Sequence, residues 1–210
     1  MRLLIVAAVL LAGCSLPVAP PPADTTHTLA VPASAQMPAA LPAQATLQVA
    51  LPTVAPGYAG AAIAYRTAPH ELRYYARQRW VDRPARLLQQ ALLDGLAAGG
   101  AQVMAPGSGA RPDYRLLSNL VQLEQDFTTQ PSRVRMTLRV QLVDVSQRRL
   151  LGSHTLRLER AAASDDPVGG VAAANALLEQ AVVEVARWCR QLTVGVTDPA
   201  SNPAPAGASG

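Results

Sequence analysis

The clearest pattern along the chain is a two-residue alternation in RVRMTLRVQLVDV, residues 133–145. There Val134, Met136, Leu138, Val140 and Leu142 alternate with Arg133, Arg135, Thr137, Arg139 and Gln141. The pattern predicts a half-buried antiparallel strand with one wet face. After SQRR, residues 150–160 (LLGSHTLRLER) read as its hairpin partner, and residues 113–127 (DYRLLSNLVQLEQDF) as a long strand whose alternation is imperfect. Shorter extended segments are predicted at 46–51, ended by Pro52, at 61–67 and 71–76 around Pro69, and at 101–105.

Two stretches follow the helical period instead. Over 82–98, Leu88, Leu92 and Leu96 recur every four residues, widened by Leu87 and Ala91. Asp82 is the predicted N-cap, Pro84 suits the first turn, and Gly99-Gly100 stops the helix. From Asp166 to about Leu192 a second stripe runs through Val171, Ala174, Leu178, Ala181, Val182, Val185, Trp188, Cys189 and Leu192. Ser164, Asp165 and Asp166 offer caps ahead of Pro167. Cys189 falls within the apolar stripe, which makes it a small packed hydrophobe.

This order of strands, helix, strand, three strands and helix predicts an α+β fold. We expect a mostly antiparallel sheet with both amphipathic helices on one face, a two-layer sandwich. The folded domain is expected over 45–193. Before it, residues 14–44 carry prolines at 17, 20, 21, 22, 32, 38 and 42 and no apolar period, the composition of a tether. Thirty residues of that kind could reach at most ~90 Å at the polyproline rise. Residues 194–210 read as a disordered Pro/Ala/Gly/Ser tail.

Composition changes this picture in few places. All eighteen basic residues are Arg, the formal charge is +4, and eight residues are aromatic. The absence of Lys, with abundant Ala, Gly and Pro, fits a GC-rich coding bias, so the Arg preference alone does not indicate phosphate binding. The charge excess is too mild to indicate nucleic acid.

The first thirteen residues have the order of a secretory signal: Arg2, an apolar run from Leu3 to Leu11, then small Ala12 and Gly13. Leu11-Ala12-Gly13-Cys14 resembles the bacterial lipobox, which implies cleavage before Cys14 and acylation of that residue. Several acyl chains on one residue anchor stably where one does not. A packed free cysteine, or a Cys14–Cys189 disulfide, are the other readings. Ser15 in place of an aspartate implies, by the same resemblance, the outer membrane rather than inner-membrane retention. Loss of Arg2 with the signal leaves +3 on the side chains.

Catalytic chemistry finds little support. His27, His70 and His154 are isolated, Asp165-Asp166 is explained by helix capping, and the GSG at 107–109 precedes Arg-Pro rather than a helix. We expect no enzyme activity, no metal and no cofactor.

The richest local composition is YRTAPHELRYYARQRWVDRPARLL, residues 65–88. It holds Tyr65, Tyr74, Tyr75 and Trp80 with Arg66, Arg73, Arg77, Arg79, Arg83 and Arg86, against only Glu71 and Asp82. Aromatics with Arg are typical of interface hot spots; the alternative is that some rings fill the core while the arginines are solvated. The candidate contact residues are Arg66, Arg73, Tyr74, Tyr75, Arg77, Arg79 and Trp80, with Arg133, Arg135 and Arg139 on the wet face of 133–139.

The lipobox, the Pro/Ala segment, the IAYRTAPHELRYYARQRWVDRPARLLQQALL run, the VRMTLRVQLVD strand and the closing helix with Trp188 together resemble the ABC-type transport auxiliary lipoproteins. The resemblance implies a non-catalytic lipoprotein anchored to the outer membrane and facing the periplasm. It also implies a partner carrying MCE domains within an envelope transporter of lipid or other hydrophobic substrates, and possible assembly into a homo-oligomeric ring. A stand-alone lipid-binding lipoprotein and a structural envelope-assembly lipoprotein are the alternatives.

Overall fold

The computed structural model describes residues 23–194. The expected signal segment, Cys14 and the expected tail beyond Val194 lie outside the described residues. The elements are β1 (Thr25–His27), β2 (Thr46–Val49), β3 (Thr53–Val54), a 3-10 turn at Pro56–Tyr58, β4 (Ala62–Arg66), β5 (Arg73–Trp80), α1 (Pro84–Ala98), β6 (Gln102–Met104), β7 (Tyr114–Asp126), β8 (Arg133–Asp144), β9 (Arg149–Ala161) and α2 (Pro167–Val194).

All nine strands join one sheet, centred on β7. On one flank, β7 pairs antiparallel with β8, and β8 with β9, in the hairpin that the alternation predicts. On the other flank three short strands dock in turn along β7, all parallel to it: β2, β3 and β4. Beyond β2 lies β6, and beyond β4 lie β5 and then β1. Five of the eight pairings are therefore parallel, and the sheet is mixed rather than mostly antiparallel. The period-2 pattern reports which face a residue occupies but not the direction of the neighbouring strand. The α+β class and the two helices hold; the sheet curls, so a flat two-layer sandwich is too simple a description.

The imperfect alternation of β7 has a local cause. The β7–β8 register shifts between Leu120 and Gln122, so one extra residue bulges at Val121. Before it, even-numbered Leu116, Ser118 and Leu120 face the helices; after it, odd-numbered Leu123 and Gln125 do, opposite Met136 and Val134. Glu124 and Asp126 are thereby turned to the helix-free face.

Both helices bury their stripes in one core. Leu88, Leu92 and Leu96 of α1 join Leu177, Leu178, Val182 and Val185 of α2 over Leu47, Leu116, Leu138 and Leu142. The helices meet closely at Gly95, where an added Cβ would lie 2.5 Å from Val182 Cγ1. Arg83, not Asp82, occupies the N-cap of α1; the Asp82 carboxylate accepts the Arg83 N–H at 2.6 Å. Asp166 caps α2 as predicted, accepting the Gly169 N–H at 2.8 Å. Cys189 is a free, fully buried thiol, pushed up to about 12 by burial.

The segment read as a tether is shorter than expected. Residues 25–27 pair with β5, Leu29 and Leu41 are 2% and 4% exposed, and Ala40 is fully buried. Asn175 of α2 fixes the passing chain, accepting the Ala30 N–H at 2.8 Å and donating to the Thr28 carbonyl at 3.1 Å. Arg190 Nη1 donates to the Leu41 carbonyl at 3.0 Å. Proline excludes helix but not an extended strap whose few apolar side chains plug the core, so proline content alone overstates the tether.

Candidate interaction face

The aromatic–arginine run divides between core and surface. Trp80 is 5% exposed and packs in the core. Tyr75 turns inward: its hydroxyl donates to Gln125 Oε1 at 2.9 Å and its ring lies 4.5 Å from that of Tyr65. Burial pushes the Tyr75 phenol up. Gln125 in turn donates to Ser132 Oγ and to the Asp166 carbonyl, tying β7 to the start of α2. Tyr74, in contrast, is 47% exposed, held by a hydrogen bond from its hydroxyl to the Gly57 carbonyl.

Arg73, Arg77 and Arg79 are exposed beside Tyr74 on β5. The first donates to Glu71 at 2.7 Å, the last lies 3.7 Å from Asp24, and Arg77 makes no ion pair among the described residues. A register shift opposite Ala62–Ala64 breaks the alternation of β5, and Arg73, Tyr74, Arg77 and Arg79 are all exposed along it, with adjacent Arg73 and Tyr74 pointing to opposite sides of the strand.

Arg66, Arg133 and Arg135 have a different setting. Arg66 and Arg135 reach the acids that the β7 bulge turns to the helix-free face, and Arg133 joins Arg135 through Glu159 of β9. Arg66 Nη2 lies 2.5 Å from Glu124 Oε1, and the Glu124 side chain is fully buried. Tyr58 donates its hydroxyl to the other Glu124 oxygen at 2.6 Å, and Gln122 Nε2 donates to Oε1 at 2.9 Å. Burial and the adjacent carboxylate both push the Tyr58 phenol up. Arg135 reaches Asp126 at 2.8 Å and Glu159 at 2.9 Å, and Arg133 pairs with the second Glu159 oxygen. Burial works against ionisation of Asp126, but hydrogen bonds from Thr128 and the charges of Arg135 and Arg66 hold its carboxyl below the ordinary value. Composition alone does not disclose these partners. The one sequence signal was the loss of alternation at Glu124-Gln125-Asp126, three consecutive polar residues that are all buried.

Arg139 shares the wet face of β8 with Arg133 and Arg135, yet its cross-strand neighbours are Asn119 and Thr155, and it has no ion pair among the described residues. His154 lies on the opposite, helix side of β9, its ring stacked 5.9 Å from Trp188. Among the described residues no three His, Cys, Asp or Glu side chains gather as a metal site.

A family model described as the ABC-type transport auxiliary lipoprotein component matches residues 27–186. The chain belongs to that family. The match begins at His27, within β1, and so takes in the strap across the helices as well as the sheet. Two solved structures share the fold. Protein XCC0632 of Xanthomonas campestris is 24% identical, with a TM-score of 0.71 over 80% of this chain and 95% of its own. An uncharacterised protein is 15% identical, with a TM-score of 0.64 over 80% of this chain and 99% of its own. No curated protein matches the chain in sequence.

Proposed function

We propose that this lipoprotein is the non-catalytic, outer-membrane-anchored auxiliary component of an MCE-type ABC transport system. In this reading it moves no substrate chemically. It holds or aligns a periplasmic partner carrying MCE domains, through which lipid or another hydrophobic substrate passes. The observation that carries the reading is membership of a transport-auxiliary lipoprotein family across nearly the whole folded domain. The exposed arginines and Tyr74 of β5 on the same domain support it.

Acylated Cys14 is the anchor. Because the strap begins at Thr25, ten residues separate the anchor from folded structure. At the polyproline rise these reach roughly 30 Å, a third of what the sequence alone implied. The domain therefore works near its membrane, and the partner comes to it. The docking surface is the exposed length of β5 that carries Arg73, Tyr74, Arg77 and Arg79, where a phenol ring and cations are suited to an acidic or aromatic partner surface. Arg66, Arg133 and Arg135 shape the face beside it through their ion pairs. Assembly of several copies into a ring around the partner fits the same reading.

The test is affinity purification of the tagged full-length protein from crosslinked, detergent-solubilised envelopes, with Cys14→Ala alongside. Recovery of an MCE-domain protein, diminished in the variant, is the expected result. Recovery of cell-wall or assembly machinery in its place would overturn the transport reading.

A further inference from the structure

A cavity of about 460 Å³ lies on the helix-free face of the sheet between the β2–β3 connection and strands β7–β9. Its volume falls within the range of small-molecule sites, about 300–1,000 Å³. Two of its residues are large apolar side chains left open to solvent, Leu51 at 53% and Leu117 at 36% exposed. Apart from His154, whose ring stacks on Trp188 on the other side of the sheet, its polar residues are amides and hydroxyls, with Asn119, Gln141 and Thr155 among them, and no residue lining it is acidic. Arg139 is the one arginine that lines it.

The contrast along β8 gives that charge its meaning. Arg133, Arg135 and Arg139 share one face of the strand, and the first two are neutralised by Asp126 and Glu159. Arg139 stands between Asn119 and Thr155 instead, so its guanidinium remains available to an outside anion. A guanidinium ringed by neutral hydrogen-bonding side chains suits a phosphate, which takes the planar fork on two oxygens. Leu51 and Leu117 suit an apolar chain attached to it.

We infer that this cavity binds one anionic phospholipid, its phosphate on Arg139 and the first part of an acyl chain against Leu51 and Leu117. The source of the ligand follows from the anchor: only ten residues lie between Cys14 and Thr25, a reach of roughly 30 Å at the polyproline rise, so the domain that carries the cavity is held close to a bilayer. The inference rests on the anchored-lipoprotein reading only for that source, and the two fail separately. Capture of an MCE-domain partner tests the first, and lipid labelling tests the second.

The probe is a phosphatidylglycerol carrying a photoreactive diazirine in its acyl chain, mixed into phosphatidylcholine vesicles holding the full-length lipoprotein. Crosslinked peptides are mapped by mass spectrometry. Labelling is expected on the segments containing Leu51 and Leu117, competed by unlabelled phosphatidylglycerol and not by phosphatidylcholine. Arg139→Gln should lower it about tenfold, as loss of one charge-assisted contact does, and Leu117→Ser should lower it as well. Both positions are at the surface, so unchanged thermal melting of each variant certifies the fold. Labelling that is indifferent to Arg139, or equal competition by phosphatidylcholine, would overturn the inference. So would equal competition by inorganic phosphate, which would assign the site to a soluble phosphate compound.

Discussion

Arg66 Nη2 lies 2.5 Å from Glu124 Oε1, a partly exposed cation closing over a carboxylate that has no contact with solvent. The pair is asymmetric, since the arginine side chain retains 25% exposure and the glutamate none. Removing the cation strands a buried charge, whereas removing the carboxylate leaves an arginine that can turn to water.

Arg66→Ala is therefore expected to destabilise the domain by about 3 kcal/mol or more, and Glu124→Gln by less, about 1–2 kcal/mol. Urea unfolding of both variants gives the comparison. Equal effects, or a larger one for Glu124→Gln, would remove the asymmetry. A loss of partner capture in Arg66→Ala has to be corrected for this instability before Arg66 is counted as a contact.

The exposed strip should behave oppositely. Replacing Arg73, Arg77 and Arg79 together by Gln is expected to weaken capture of the partner while shifting the unfolding midpoint little, because the ion pairs of Arg73 and Arg79 are solvent-exposed and contribute little, and Arg77 makes none among the described residues. Unaltered capture with an unaltered midpoint would take β5 out of the docking surface.

The strap makes a prediction that a tether would not. Leu29→Ala is expected to cost about 2–4 kcal/mol, the range for a fully buried leucine. Substitution in a freely moving linker would be silent in the same denaturation experiment.

Acid sensitivity follows from four aspartates. Asp126, Asp144, Asp165 and Asp166 are all held below the ordinary carboxyl value. The named partners are Thr128 and two arginines for Asp126, Gln147 and Ser146 for Asp144, Ser132 for Asp165, and Gly169 with Ser164 for Asp166. A carboxyl depressed in the folded state adds stability that is complete above its unfolded value, about 3.9, and disappears as pH falls through the folded one. Denaturant midpoints should thus change little from pH 7 to pH 5 on account of these groups and drop below about pH 4. A midpoint that rises on acidification would contradict the assignment.

By itself the sequence determined the elements whose signal is local. The alternation from Val134 to Leu142, the leucine stripe from Leu88 to Leu96 and the Asp166-Pro167 start of the last helix each record which side of one element meets the core, and burial enforces that at every position. Tertiary structure decided what depends on distant partners. Strand direction on the far flank of β7, the docking of Leu29 and Leu41, and the bulge at Val121 all arise where separate segments compete for one surface. The same holds for charge: Arg135 and Arg139 are alike in sequence, and only the strands beside them decide that one is neutralised while the other faces an open cavity.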